Sequence, residues 1–167
     1  RDYDNIDELF KKLTSSELSY KMDYTKRVVT TSPYSVYLRI AEGCDNKCAY
    51  CAIPLIRGKF KSRNFDSLIE EAKILVSNGA KEITLIAQDT TRYGTDFKDK
   101  DSRRLEHLLR AITEIDGVEW VRVLYLYPDE ITPEILLEIK NNKKIAKYFD
   151  IPIQHASNKM LKAMNRR

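Results

Sequence analysis

The chain has 167 residues, 43% of them hydrophobic and 32% charged, enough to bury one domain's core. No apolar run approaches the length of a membrane span, so no membrane partner is expected. The net charge of +4, from 29 basic and 25 acidic residues, is too mild to argue for nucleic acid, and direct nucleic-acid binding is not expected. All three cysteines fall inside eight residues, which excludes a disulfide framework and points to a reducing, cytoplasmic setting.

Residues 1–34 differ from the rest. Ile6, Leu9, Phe10 and Leu13 have the spacing of one short amphipathic helix. A polar stretch follows, and Thr30-Thr31-Ser32-Pro33 breaks the chain. This segment is read as a linker or packing arm, and residues 35–167 as one core. Val36, Leu38 and Ile40 alternate with Tyr37 and Arg39, as in a strand. After the cysteines, Arg57 to Arg63 forms a basic turn. Asp66 or Ser67 caps a helix with Leu68, Ile69, Ala72, Leu75 and Val76 on its apolar face, and Gly79 closes it. Ile83–Ala87 is a second strand. A long polar loop leads to a helix carrying Leu105, Leu108, Leu109, Ile112 and Ile115. Val121–Tyr125 is a third strand. Thr132-Pro133 opens the next helix with a cap and a first-turn proline. Tyr148–Ile151 is a fourth strand, and Ser157 caps a last helix.

Strand and helix thus alternate about four times. Such alternation predicts parallel strands joined by helices, an α/β partial parallel (β/α) barrel with about four β/α units, short of the eight that close a barrel. In such folds chemistry collects at the carboxyl ends of the strands. There lie Cys44, Cys48 and Cys51 after the first strand, Gln88 and Asp89 after the second, Tyr125 to Glu130 after the third, and Gln154 and His155 after the fourth. These loops are expected to face one mouth.

The spacing C-x3-C-x2-C converges three soft ligands on one centre. It suits an iron–sulfur cluster with one iron left open, or a zinc ion completed by a histidine. His155 is the histidine placed for the second option, while His107 sits on a leucine-rich helix. Tyr50, between two of the cysteines, is placed to touch a bound cofactor or to pack. Gln88, Asp89, Gln154 and His155 either bind polar groups of a ligand or cap turns. Arg57 to Arg63 is either a cationic rim or a solvated loop. Tyr93, Tyr125 and Tyr127 either line a cavity wall or touch substrate.

C-x3-C-x2-C with an aromatic before the last cysteine, after the first strand of a partial barrel, resembles the radical S-adenosylmethionine superfamily. Ala41-Glu42-Gly43-Cys44, Ala52-Ile53-Pro54, Arg57-Gly58 and Ser62-Arg63 look like its methylthiotransferases. Ala87-Gln88-Asp89-Thr90-Thr91 with Tyr93-Gly94, and Ile151 to Ser157, are most similar to the branch acting on an aspartate of the twelfth small-subunit ribosomal protein. The tRNA-modifying branch typically has Gly-Gln-Asn in place of Ala87-Gln88-Asp89. The resemblance implies a 4Fe–4S cluster on Cys44, Cys48 and Cys51, with S-adenosylmethionine on its open iron. It further implies a low-potential electron donor and a 5′-deoxyadenosyl radical that takes hydrogen from the aspartate β-carbon. Tyr50, Gln88, Asp89, Gln154 and His155 would bind cofactor or substrate. Full-length members also carry an amino-terminal domain with a second 4Fe–4S cluster and a carboxyl-terminal RNA-binding-type β domain. Both are expected to lie outside these residues, so the chain alone is expected not to complete the reaction.

Overall fold

The computed structural model describes residues 8, 11–13, 26–98 and 102–166. The helix expected around Ile6, Leu9 and Phe10 lies largely outside them. Of that stretch, Glu8 and Lys11 to Leu13 are helical.

Three parallel strands form the sheet: β1 (Ser35–Arg39), β4 (Glu82–Ile86) and β5 (Trp120–Val123), in the order β1-β4-β5. The register aligns Val36 with Ile83 and Ile83 with Val121, and likewise Leu38 with Leu85 and Leu85 with Val123. Two rows of aliphatic side chains therefore cross the sheet, and all six residues are buried. The period of two puts Tyr37 on the opposite, exposed face.

Two short strands, β2 (Ala41–Glu42) and β3 (Lys61–Ser62), pair antiparallel and bracket the cysteine loop and a five-residue helix, α1 (Ile53–Arg57). Helix α2 (Phe65–Ser77) packs on β1, and α3 (Leu105–Thr113) packs on α2 and β5. Helix α4 (Pro133–Asn141) packs on α3, and α5 (Asn158–Ala163) follows near the carboxyl end. Leu68, Ala72, Leu105, Leu108, Leu109 and Ile112 are fully buried. Each large side chain removed from water contributes about 1.5–3 kcal/mol. Burial thus outweighs the weak helix propensity of such short segments.

Two expectations need correction. The α2 cap is Asn64, whose side chain accepts the Ser67 N–H at 3.0 Å. Phe65 is buried, and placing it in the first turn moves the helix start ahead of Asp66. The fourth strand is absent: among the described residues a single parallel bridge, Val121 to Ile145, borders β5. The cause is Tyr125, whose φ of 59° turns the backbone out of the extended range. Backbone bonding resumes only where Leu126 N donates to the Asp150 carbonyl at 2.9 Å. Thr132 does cap α4, accepting from Ile135 N at 3.4 Å, with Pro133 in the first turn.

Beneath α2, Glu71 is 2% exposed and pairs with Arg63 at 2.7 Å and Arg27 at 3.4 Å. Arg63 also donates to the Arg39 carbonyl at 2.8 Å. The basic turn is thereby tied to the core. Among the described residues no helix is long and apolar enough to cross a membrane.

Candidate functional site

The cysteine loop leaves β2 through Gly43, whose φ is +77°. A Cβ there would lie 2.1 Å from the Lys59 carbonyl oxygen. Only glycine lets the strand pass that close and turn at once. Cys44 N then donates to the Gly58 carbonyl at 3.1 Å, and the Asp45 carboxylate accepts from Phe60 N at 3.1 Å. The loop is stitched to the turn that follows α1.

A second set of bonds holds the loop from the sheet side. Asn46 Nδ2 donates to Asp89 Oδ2 at 3.0 Å, and Thr91 Oγ1 donates to Asp89 Oδ1 at 2.7 Å. Tyr127 N donates to Thr91 Oγ1 at 2.8 Å, so the loops after β4 and β5 are joined through one threonine. Thr90 N donates to the Tyr125 carbonyl, and Tyr125 N donates to the Asp150 carboxylate at 2.9 Å. These bonds over-determine the left-handed Tyr125 backbone, as strain at a site requires.

A third set comes from the end of α5. Ala49 N donates to the Met164 carbonyl at 3.0 Å, and Asn165 Nδ2 donates to the Lys47 carbonyl at 2.7 Å. Arg166 Nη1 lies 3.6 Å from Cys48 Sγ, and its guanidinium sits 4.3 Å over the Tyr127 ring.

A cavity of about 480 Å³ opens between these elements. Cys44, Cys48 and Cys51 line it together with Tyr50 and Gln88. Its walls are the carboxyl ends of the three strands: Arg39 from β1, Ile86 and Ala87 from β4, Tyr125 to Tyr127 after β5. The expected mouth therefore exists for the first three strand ends. Pro152 also lines it, from the segment that follows the expected but absent fourth strand. Gln154 and His155 are exposed and are not among its lining residues. His155 Nδ1 instead accepts the Ser157 N–H at 2.9 Å. Asp89 is 1% exposed and also lies outside the lining; both its carboxylate oxygens are engaged by Asn46 and Thr91. His107 is on the surface of α3, where its Nδ1 accepts the Arg104 N–H. Tyr93 is buried against Phe97 rather than on the cavity. Arg57 pairs with Glu42 at 2.7 Å and, like Arg63, does not reach the cavity; its cations are Arg39 and Arg166.

The three thiols are free of disulfides, with Cys44 buried. Burial raises the Cys44 thiol above its ordinary value, helped by the charges of Asp89 and Cys48 and opposed by the Asn46 N–H at its sulfur. Burial works against the Arg166 charge, but Cys48 and the nearby tyrosines more than offset it, so the guanidinium is held above its ordinary range.

Among the described residues no three His, Cys, Asp or Glu side chains sit close enough together to hold one metal ion. The histidine that a zinc site would need is outside the cavity. A polynuclear group, giving each thiol its own metal atom, suits this donor set better. The net charge of such a thiolate-bound cluster is negative, and two arginines line the space it would share. The cavity volume falls in the range of about 300–1,000 Å³ typical of sites that enclose a small organic ligand.

Arg166, Arg39 and Asn46 were not expected as members or supports of the site, whereas Pro152 lies in a loop that was expected to face it. Arg39 was findable, because strand alternation puts it on the face opposite Val36 and Leu38. Arg166 was not, being separated from Cys48 by 118 positions.

Comparison with known proteins fits this geometry. The model of the radical SAM superfamily matches residues 38–167. The chain is 49% identical to a Clostridium tetani (strain Massachusetts / E88) protein named ribosomal protein uS12 methylthiotransferase RimO, covering 99% of this chain and 39% of that one. It is 54% identical to the protein of that name from Clostridium novyi (strain NT) and 52% identical to that from Clostridium acetobutylicum, in each case over 85% of this chain and 32% of the relative. The chain thus spans about a third to two fifths of the length of these relatives. The matched segment begins within β1 and takes in all three cysteines and every strand end around the cavity, so the chain belongs to the radical SAM superfamily, whose cofactors are a 4Fe–4S cluster and S-adenosylmethionine.

Proposed function

We propose that this chain is the radical core of an enzyme that adds a methylthio group to the β-carbon of an aspartate in a small-subunit ribosomal protein. The observation that carries the reading is the gathering of three thiols on one cavity at the strand ends. The relatives' shared name supplies the substrate class. Cluster and S-adenosylmethionine together supply homolytic hydrogen abstraction from an unactivated carbon, which no side-chain acid or base can readily achieve. Cys44, Cys48 and Cys51 would hold the cluster and Tyr50 and Gln88 would contact S-adenosylmethionine, while the exposure of Gln154 and His155 outside the cavity is the ground for giving them to the protein substrate rather than to the cofactor. Asp89 holds Asn46 and hence the cysteine loop, rather than touching the ligand itself.

The protein's part in this chemistry is position and exclusion of side reactions. Leu126, Ile53 and Ile86 give the cavity apolar wall between its few polar groups. The reaction draws electrons from a low-potential donor and takes place in the cytoplasm, where ribosomal proteins and reduced thiols are found. Separate incubation of the full-length enzyme with its ribosomal protein and with tRNA tests the reading by product mass. A methylthio gain on the protein supports it, and a gain on tRNA alone overturns it.

A further inference from the structure

The end of α5 grips the cysteine loop at three consecutive residues. Met164, Asn165 and Arg166 meet Ala49, Lys47 and Cys48 in turn. Two of these contacts are backbone or amide bonds that fix the loop's path. The third differs in kind, because it brings a full positive charge to a ligand sulfur. We propose that Arg166 is a positioning residue that raises the reduction potential of the cluster by donating a charge-assisted hydrogen bond to Cys48 Sγ.

The guanidinium is built into place from several sides. Arg166 N donates to the Leu161 carbonyl at 2.8 Å, and Nη2 donates to the Pro152 carbonyl at 2.9 Å. The Tyr127 ring lies 4.3 Å below it, within cation–π range. Tyr127 is in turn fixed through Thr91 and Asp89 to Asn46, beside Cys44 in the cysteine loop. A planar fork with five donors in fixed geometry reaches carbonyl and sulfur through two different nitrogens at once. Nη1 is left aimed at Cys48 Sγ at 3.6 Å.

Hydrogen bonds to ligand sulfurs and nearby charge set cluster potentials. Reduction adds negative charge to the cluster, so a fixed cation at one thiolate favours the reduced state. The same cation lies near Tyr50 and Tyr127, and no carboxylate is among the cavity-lining residues.

This inference rests on the cluster reading, and its test separates the two. The full chain is reconstituted anaerobically with iron and sulfide, and its midpoint is read by a redox titration followed by EPR. In Arg166→Met the reduced-to-oxidised ratio at a fixed potential should fall about tenfold, equal to about 59 mV for one electron, with iron content unchanged. Arg166→Lys keeps the charge but loses the fork, so its midpoint should fall by less. Arg166→Met at the parent midpoint with full iron overturns the inference. If Arg166→Met holds no cluster, Arg166→Lys decides: a lowered midpoint supports the inference and a parental one overturns it. Loss of iron from both variants also overturns it, in favour of a purely mechanical clasp. A parent chain that binds no cluster sinks the underlying reading instead.

Discussion

Replacing Gly43 by alanine should disable the cysteine loop without touching a thiol. The new Cβ would stand 2.1 Å from the Lys59 carbonyl oxygen and 2.8 Å from that of Gly58, both backbone atoms that no rotamer change can move. The φ of +77° adds about 1–2 kcal/mol for a residue with a side chain. Relief of the clash must pull the 58–60 turn from the loop, breaking the Cys44 N to Gly58 bond or the Phe60 N to Asp45 bond. Each is worth about 0.5–1.5 kcal/mol. The sum is about 3 kcal/mol, or roughly 6–12 °C in melting temperature for a chain of this size. Because the shift is centred one residue from Cys44, iron bound after reconstitution should fall by more than half. Gly79→Ala is the control: its φ is +103°, yet nothing lies within 4 Å of the added Cβ. That variant should lose about 1 kcal/mol and no iron. Gly43→Ala with full iron and a parental melting temperature would refute the claim that close backbone approach sets the loop.

Other consequences follow from the same geometry. Asp89→Ala removes the acceptor shared by Asn46 and Thr91. It should cost about 1–3 kcal/mol and slow cluster retention, while Asp89→Asn recovers part of both in denaturant melts and iron release. Glu71→Leu leaves Arg63 without its buried carboxylate and should cost about 3–5 kcal/mol in urea unfolding. Burial raises the Cys44 thiol above its ordinary value, so cluster binding, which needs the thiolate, must expel its proton. Cluster loading should therefore go further at pH 8.5 than at pH 7, with net proton release measurable by pH-stat. For the apoprotein the sign runs the other way. A raised folded-state value contributes stability that is present below the unfolded value and lost as pH rises through the folded one.

Local chemistry made the centre of this site legible from sequence. Three thiols in one octet can reach only one site, and all three line the same cavity, while the alternation of Val36, Leu38 and Ile40 places that octet at a strand's end. The helix caps were half legible. Asn64, Asp66 and Ser67 are all good caps, and the choice among them was made by Phe65, whose burial no local rule weighs. The missing fourth strand was hidden for a related reason. Tyr148 to Ile151 has strand composition, but the left-handed turn at Tyr125 ends the ladder that it would join, and a tyrosine gives no local sign of positive φ. Gln154 and His155 looked like Gln88, a polar residue after a strand. Without that strand their loop runs past the cavity rather than into it. Arg166 carried no signal, since its role exists only once α5 has folded back onto the loop.

The central claim is that Cys44, Cys48 and Cys51 hold one four-iron cluster with an open iron. Anaerobic reconstitution, with iron and sulfide counts and EPR of the reduced protein before and after adding S-adenosylmethionine, tests it most directly. About four irons and four sulfides per chain, lost in Cys48→Ala, and a spectrum altered by S-adenosylmethionine are the predicted result. A colourless protein with one zinc per chain, or a cluster whose spectrum S-adenosylmethionine leaves unchanged, would contradict it.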